Sequence, residues 1–312
     1  MRRLLVNDAL SQLGEHTFWH DLQEWFGCKF VGALYANLAD AANTAAEEAS
    51  LIIRNASYFG PLKASERVPT ISLLQDISLD GEMRKMQEAV IRSSKKIVFN
   101  SEFTRLKYGG MAGDCLRASW HVIPLPVDFS LFEPGNAMGL QQALSLPDGC
   151  VCWIGAQTPV KGWDIFLQVV RRNPDIPFVG VFKDAAPAYG PPNLRMYSRL
   201  PQEELVKVIG ACRVGLCTSR TESQHLAGIE MGACGLPMVA PSVGVYWKCD
   251  DFPGVRVDEQ TTPAYTTAIR AKLKQPGDPQ VIRAYWKHRF DKPVIKAAWT
   301  KLVEEIECSG QS

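Results

Sequence analysis

No stretch of this 312-residue chain approaches the roughly 18 uninterrupted apolar residues of a membrane-crossing helix. Nor is there a surplus of charge: 34 Lys and Arg face 33 Asp and Glu, a formal net charge of +1. That balance argues against a protein that holds nucleic acid by bulk charge. The nine cysteines include no CxxC pair and no metal-finger spacing, which points to structural thiols in a reducing cytosol. A DxD-like motif, a Walker loop and a metal-ligand cluster are all missing, so neither a metal nor an organic cofactor is expected. Internal repeats of about 20–50 residues and low-complexity segments are absent as well. The start, Met1 to Asp8, turns acidic too soon for a secretory leader and reads better as a first strand. The Asn55-Ala56-Ser57 sequon therefore carries no expectation of glycosylation, and the expected location is cytoplasmic.

What is present is an ordinary globular composition, 46% apolar and 21% charged. The length suits two domains of about 150 residues each. The first half alternates short apolar runs with amphipathic segments. Strands are predicted at Arg3 to Val6, Lys29 to Leu34, Leu51 to Ile53, Thr70 to Leu74, Lys96 to Phe99 and Trp120 to Ile123. Helices are predicted over Phe18 to Phe26, Asp40 to Ala49, Asp80 to Ser93 and Glu102 to Tyr108, where apolar residues recur at helical spacing. Pro134-Gly135 and Pro147-Asp148-Gly149 then break the rhythm, and 131–148 reads as a linker. The second half repeats the alternation, with strands at Val151 to Ile154, Pro177 to Phe182, Val214 to Cys217, Met238 to Ala240 and Val255 to Val257. Cys150 and Cys152 flank one strand position and so share a face. From Pro279 onward the pattern is helical. Strands alternating with helices imply parallel sheets covered on both faces. The expected architecture is α/β, two Rossmann-like domains facing across a cleft, with 1–130 as the first domain and 149–285 as the second. A C-terminal helix within 286–312 is expected to pack back on the first.

The chemistry concentrates between Thr218 and Gly244, TSRTESQHLAGIEMGACGLPMVAPSVG. A buried strand ends there, a polar turn follows, and an apolar-faced helix runs from Leu226 to Ala233 before Gly235-Leu236-Pro237 and another short strand. Open parallel sheets bind ligands at the carboxyl ends of their strands, and helix N-termini offer unpaired N–H groups to anions. The stretch therefore reads as a phosphate seat. Two carboxylates, Glu222 and Glu230, bracket the helix entrance with seven residues between them.

Glu222-SQHLAGI-Glu230 followed by MGACGLPMVA resembles the donor site of retaining glycosyltransferases with the GT-B fold, the group-1 hexosyltransferase class. Four more segments resemble the same family in the same order. They are Asn100-Ser101-Glu102-Phe103-Thr104, Val122-Ile123-Pro124-Leu125-Pro126-Val127-Asp128, the loop from Gly155 to Lys161-Gly162-Trp163-Asp164, and Leu200-Pro201-Gln202-Glu203-Glu204-Leu205. The resemblance covers about residues 95 to 245 and implies metal-independent transfer of a hexose from a UDP- or GDP-type nucleotide sugar. It implies that Lys161 stabilises the departing diphosphate and that Glu230 accepts from the ribose hydroxyls. Glu222 would lie near the transferred sugar, and the backbone of Gln224, His225, Leu226 and Ala227 would cradle phosphate. Gly155 opens the loop that carries Lys161, and Gly14 stands where the family brings a glycine loop to the donor. Retention by the front-face route, in which the leaving phosphate oxygen takes the acceptor proton, needs no protein base.

The chain departs from the family pattern at two places. Ala156-Gln157 replaces the customary diphosphate arginine, leaving Gln157 or backbone N–H groups to serve instead. Gln75-Asp76 stands where a His-Asp pair is usual, so Gln75 can bond a sugar hydroxyl but cannot act as acid or base. Gln75, Asp76 and Asn100 are the substrate-side candidates. His16 reads as a helix cap or surface group. Basic residues cluster from Arg84 to Arg117, yet residues 1–148 carry 14 Lys/Arg against 17 Asp/Glu, which disfavours a DNA acceptor or polybasic membrane docking. The acceptor stays open between a glycan, a lipid-linked or a small molecule, and peripheral membrane contact stays open with it. Three rivals remain: transfer to a modified nucleic-acid base, a catalytically weakened nucleotide-sugar-binding module, and an epimerase-type protein without external acceptor.

Overall fold

A computed structural model describes residues 2–8, 15–33, 35–56, 60–76, 81–109 and 119–309. The Gly14 loop, the serine of the Asn55 sequon and Arg117 of the basic cluster lie outside them. The chain divides into two compact units, Met1–Pro126 with Ile295–Ser312, and Val127–Val294.

The first unit holds β1 (Arg3–Asp8), α1 (Glu15–Phe26), β2 (Lys29–Ala33), α2 (Tyr35–Ala45), β3 (Leu51–Asn55) and β4 (Thr70–Leu74). It continues with α3 (Gly81–Ser93), β5 (Lys96–Phe99), α4 (Glu102–Tyr108) and β6 (Trp120–Val122). Its six strands are all parallel, in the order β2-β1-β3-β4-β5-β6. β3 and β4 are buried along their whole length. Burial on both faces suits the unbroken apolar run Leu51-Ile52-Ile53 that opens β3.

The second unit opens with a short helix, α5 (Ala137–Leu144), inside the stretch read as a linker. Asn136 caps it by accepting from Gly139 N–H, and Leu140 and Leu144 pack on the core, which holds the segment to the domain. There follow β7 (Val151–Gly155), α6 (Trp163–Arg172), β8 (Phe178–Phe182), β9 (Leu194–Ser198), α7 (Gln202–Gly210), β10 (Val214–Leu216) and α8 (Leu226–Ala233). The unit ends with β11 (Met238–Ala240), β12 (Gly254–Arg256), α9 (Thr262–Lys274) and α10 (Pro279–Phe290). The last helix, α11 (Lys292–Ser309), belongs to the first unit from Ile295 on. There Trp299 is fully buried, and Arg3 donates to both carboxylate oxygens of Glu307 at 2.8 and 3.0 Å.

Among the described residues, no helix is long and apolar enough to cross a membrane. The second sheet is also parallel, ordered β12-β11-β10-β7-β8-β9. Its two faces carry separate cores: Val151, Trp153 and Phe166 on one, Cys150, Cys152 and Trp286 on the other. Two flanking helices start where side chains cap them. Thr261 accepts from Ala264 N–H, and Asp278 accepts from Gln280 N–H, with Pro279 supplying a preset first residue.

Helix α10 fixes α8, the helix that begins the candidate seat. The Trp286 indole packs against Gly232 of α8, where a Cβ would overlap the ring. Arg283 donates to the carbonyls of Phe129, Phe132 and Ala233, so one guanidinium ties the end of α8 to the start of the unit. Trp286→Ala should therefore lower the stability of the second unit by about 3–5 kcal/mol, read as a shifted urea midpoint. A midpoint equal to that of the wild type would contradict this packing.

Candidate functional site

From β7 the chain winds outward through β8 and β9, then returns to place β10 on the other side of β7 and winds away through β11 and β12. The neighbours β7 and β10, paired Trp153 to Leu216, are thus followed by loops that leave in opposite directions. Ligands of open α/β sheets bind at such a switch point. The loop after β7 carries Lys161, and the turn after β10 carries Glu222. Lys161 Nζ donates to both carboxylate oxygens of Glu222, at 2.7 and 2.9 Å.

The two loops are sewn together beneath that pair. The buried Thr218 hydroxyl lies 3.1 Å from the carbonyls of Lys161 and Gly162 and accepts from the Trp153 indole N–H at 3.0 Å. Gly162 has φ +64°, and a Cβ there would overlap the Thr218 carbonyl, so only glycine lets the chain turn into α6 at this point. Arg220 completes the seam: its backbone N–H donates to the Val160 carbonyl, and its guanidinium grips both oxygens of Asp164 at 2.7 Å.

Glu222 is nearly buried, its side chain 7% exposed against 36% for Lys161. Burial alone would raise its pKa, but the Lys161 ammonium and the Ser219 hydroxyl, which donates at 2.7 Å, outweigh it and hold the carboxyl ionised. His225 sits just before α8 in a left-handed backbone, φ +76°, with Nδ1 2.9 Å from the Tyr246 hydroxyl. Burial pulls its pKa down to about 4, so the ring is neutral at physiological pH. Among the described residues no side chain caps α8, and the first-turn N–H groups of Leu226 and Ala227 have no partner, an arrangement open to an anion.

One turn on, the half-buried Glu230 carboxylate makes no hydrogen bond or ion pair among the described residues, and burial raises its pKa from 4.5 to about 7. Gln224 is buried, and its carbonyl accepts from Val245 N–H. Gly155 ends β7 against the Trp153 ring. Gln157 is not free: its amide donates to the Ala185 carbonyl at 2.8 Å.

In the first unit the candidates lie at carboxyl ends of strands, as the alternation implies. Gln75 and Asp76 follow β4, and Asn100 follows β5. Asn100 is engaged in the framework, donating to the Gln75 carbonyl at 3.4 Å and accepting from the Thr104 hydroxyl at 2.9 Å. Tyr108 donates to the Asp76 carbonyl at 2.7 Å. Gly14 is outside the described residues.

Sequence reasoning missed Thr218, Ser219, Cys217 and Tyr246. The first three stand at the end of a strand predicted from pattern, so their position signalled nearness to a site. Tyr246, 21 residues beyond His225, gave no signal.

No protein-family model matches the chain. Two D-inositol 3-phosphate glycosyltransferases resemble it. That of Segniliparus rotundus is 29% identical over 176 residues, covering 50% of this chain and 39% of that protein. That of Thermobifida fusca is 24% identical over 237 residues, covering 67% and 54%. The chain thus spans only part of these relatives. In structure it superposes on sucrose-phosphate synthase of Thermosynechococcus elongatus with a TM-score of 0.81 at 14% identity, covering 99% of this chain and 100% of that one. Anabaena HepE in complex with UDP gives a TM-score of 0.80 at 15% identity, covering 98% and 100%. The fold is GT-B, and the likeness to group-1 glycosyltransferases read from the motifs is borne out.

The seam makes a direct prediction. Thr218→Val keeps the shape but strands the Trp153 indole N–H and removes the tie to the Lys161 loop. It should cost about 1–3 kcal/mol in chemical denaturation. An unchanged stability would show that Thr218 does not hold the loops.

Proposed function

We propose that this protein is a retaining, metal-independent glycosyltransferase that moves a hexose from a nucleotide sugar to an acceptor. The observation that carries the reading is the Lys161–Glu222 pair at the switch point between β7 and β10, with Glu230, which has no partner among the described residues, one turn into α8. HepE is described in complex with UDP and with UDP-glucose, which puts those two first among donors to test. The relatives' name, D-inositol 3-phosphate glycosyltransferase, puts phosphorylated polyols first among acceptors to test.

The Lys161 ammonium rests on Glu222. As the bond between sugar and diphosphate breaks, negative charge grows on the leaving phosphate, and a fixed ammonium beside it lowers the barrier without rearrangement. Glu222, kept ionised by Ser219, then faces the positive charge developing on the sugar. The leaving phosphate oxygen takes the acceptor proton, so the neutral His225 is not asked to act as a base. Glu230 accepts from the ribose hydroxyls, exchanging a poorly solvated carboxylate for one with donors.

Lys161→Met should lower transfer by about 100- to 1,000-fold while nucleotide binding survives, as when one stabilising donor is removed from a developing anion. Product NMR should show the donor's anomeric configuration retained. Transfer at the wild-type rate by Lys161→Met would sink the mechanism. Tight nucleotide binding without hydrolysis or transfer would instead favour a binding module, a reading that the engagement of Gln157 with Ala185 supports.

The Glu230 carboxyl gives a pH test. Its folded pKa lies above 4.5, at about 7, so it contributes stability below pH 4.5 that is lost as pH rises through 7. Glu230→Gln should match the wild type in acid and exceed it at alkaline pH by on the order of 1–3 kcal/mol, allowing for partial exposure. The same variant should bind UDP more weakly, and the wild-type affinity should rise as pH crosses 7. Calorimetric titrations that show equal UDP affinity in both proteins would remove the ribose assignment.

A further inference from the structure

One side-chain cluster in the second unit has a use that glycosyl transfer does not require. A sulfur of Cys217, a carboxylate oxygen of Glu222 and a ring nitrogen of His225 lie within 4.8 Å of one another, and all three residues are buried. Among the described residues this is the one such group of three. The spacing in sequence is not that of a familiar metal motif, because the three come from a strand end, a turn and a helix cap. We propose that Cys217, Glu222 and His225 form a binding site for a thiophilic divalent cation, zinc above all, whose occupation takes Glu222 away from Lys161.

The donor set fits. One sulfur, one imidazole nitrogen and one carboxylate oxygen are the ligands zinc selects, and three of them leave the fourth tetrahedral position open. Zinc bonds of about 2.0–2.3 Å put neighbouring ligand atoms roughly 3.3–3.8 Å apart. The group therefore closes by about 1 Å, which rotation about side-chain bonds supplies. Two ligands already have the outer partners that orient metal ligands: His225 Nδ1 meets the Tyr246 hydroxyl at 2.9 Å, and Glu222 receives the Ser219 hydroxyl at 2.7 Å. Cys217 is anchored by its own backbone, whose N–H donates to the Val239 carbonyl at 2.9 Å.

Charge balances as well. Glu222 is neutralised by Lys161, and zinc takes cysteine as the thiolate. On binding, the Cys217 proton leaves to solvent and the half-exposed Lys161 side chain swings out. Two positive charges depart and one divalent cation enters, so the buried cluster stays neutral. His225 is already neutral and gives up no proton. Hard cations such as magnesium, which favour six oxygen ligands, gain nothing from this set.

The test uses the full chain and does not depend on nucleotide binding. Zinc is titrated against a chromophoric chelator, and cobalt(II) is added to report ligand type by its absorption. The proposal expects one zinc per chain that excess magnesium does not displace, and a cobalt complex with a thiolate charge-transfer band and tetrahedral ligand-field bands. Cys217→Ala, Cys217→Ser and His225→Gln should each lose the site, and Tyr246→Phe should weaken it about tenfold. A cobalt spectrum without the thiolate band, zinc stoichiometry unchanged by removal of Cys217, or no zinc uptake by the wild type would each overturn it. Zinc uptake of the expected kind in a protein that binds no nucleotide would uphold the site and leave the donor reading to fail alone.

Discussion

The contact on which the site depends is the bidentate ion pair between Lys161 and Glu222. A carboxylate as buried as Glu222 is costly to ionise unless a cation and hydrogen-bond donors meet it. Lys161 and Ser219 do so. The pair also joins the two loops that leave the switch point, one after β7 and one after β10. Everything beneath it serves to hold those loops at one separation: the Thr218 hydroxyl between two carbonyls, the left-handed Gly162, and Arg220 clamped on Asp164. A lysine on a four-carbon stem, more exposed than its partner, can change from Glu222 to another anion with little strain. That asymmetry suits a group that waits for a ligand.

Around this pair, polarity is distributed with economy. The two carboxylates of the helix entrance have opposite characters despite their proximity in sequence. Glu222 is buried but supplied with partners, and its pKa falls. Glu230 has no partner among the described residues, and burial raises its pKa to about 7. His225 is neutral because burial overrides the attraction of Glu222. With Cys217 in place of Glu230, the group Cys217, Glu222 and His225 offers a set of softer ligands, so one short segment carries both the candidate anion seat and the cluster of possible metal ligands.

Much of the architecture was legible in the chain. Thr70–Leu74, Lys96–Phe99, Glu102–Tyr108, Leu226–Ala233 and Met238–Ala240 stand where pattern put them, because each is a strongly apolar run or a clean helical stripe. Two elements were not legible. The α5 helix, Ala137–Leu144, lies between proline-glycine breaks and has no fully buried residue, so its periodicity was faint. Strand β9, Leu194–Ser198, lies at the sheet edge with only Leu194 buried, which erased the apolar signature. Gln157, one of the candidate diphosphate donors beside backbone N–H groups, gives its amide to a carbonyl 28 residues away, a partner that no local pattern announces.

Local pattern was enough to set the α/β alternation, the buried strands, the glycines at forced turns, and the two carboxylates before and within α8. These are local properties, set by side-chain periods of 2 and 3.6 residues and by backbone sterics. Only the tertiary structure decided which strands lie side by side, and hence that residues 61 apart, Lys161 and Glu222, meet. It likewise decided that Tyr246 reaches His225, that Thr218 binds both loops, and that Cys217 joins Glu222 and His225. Strand order follows from long-range crossover and packing, to which no local pattern is sensitive. Partners in contact across such a sheet therefore become visible only when it has formed.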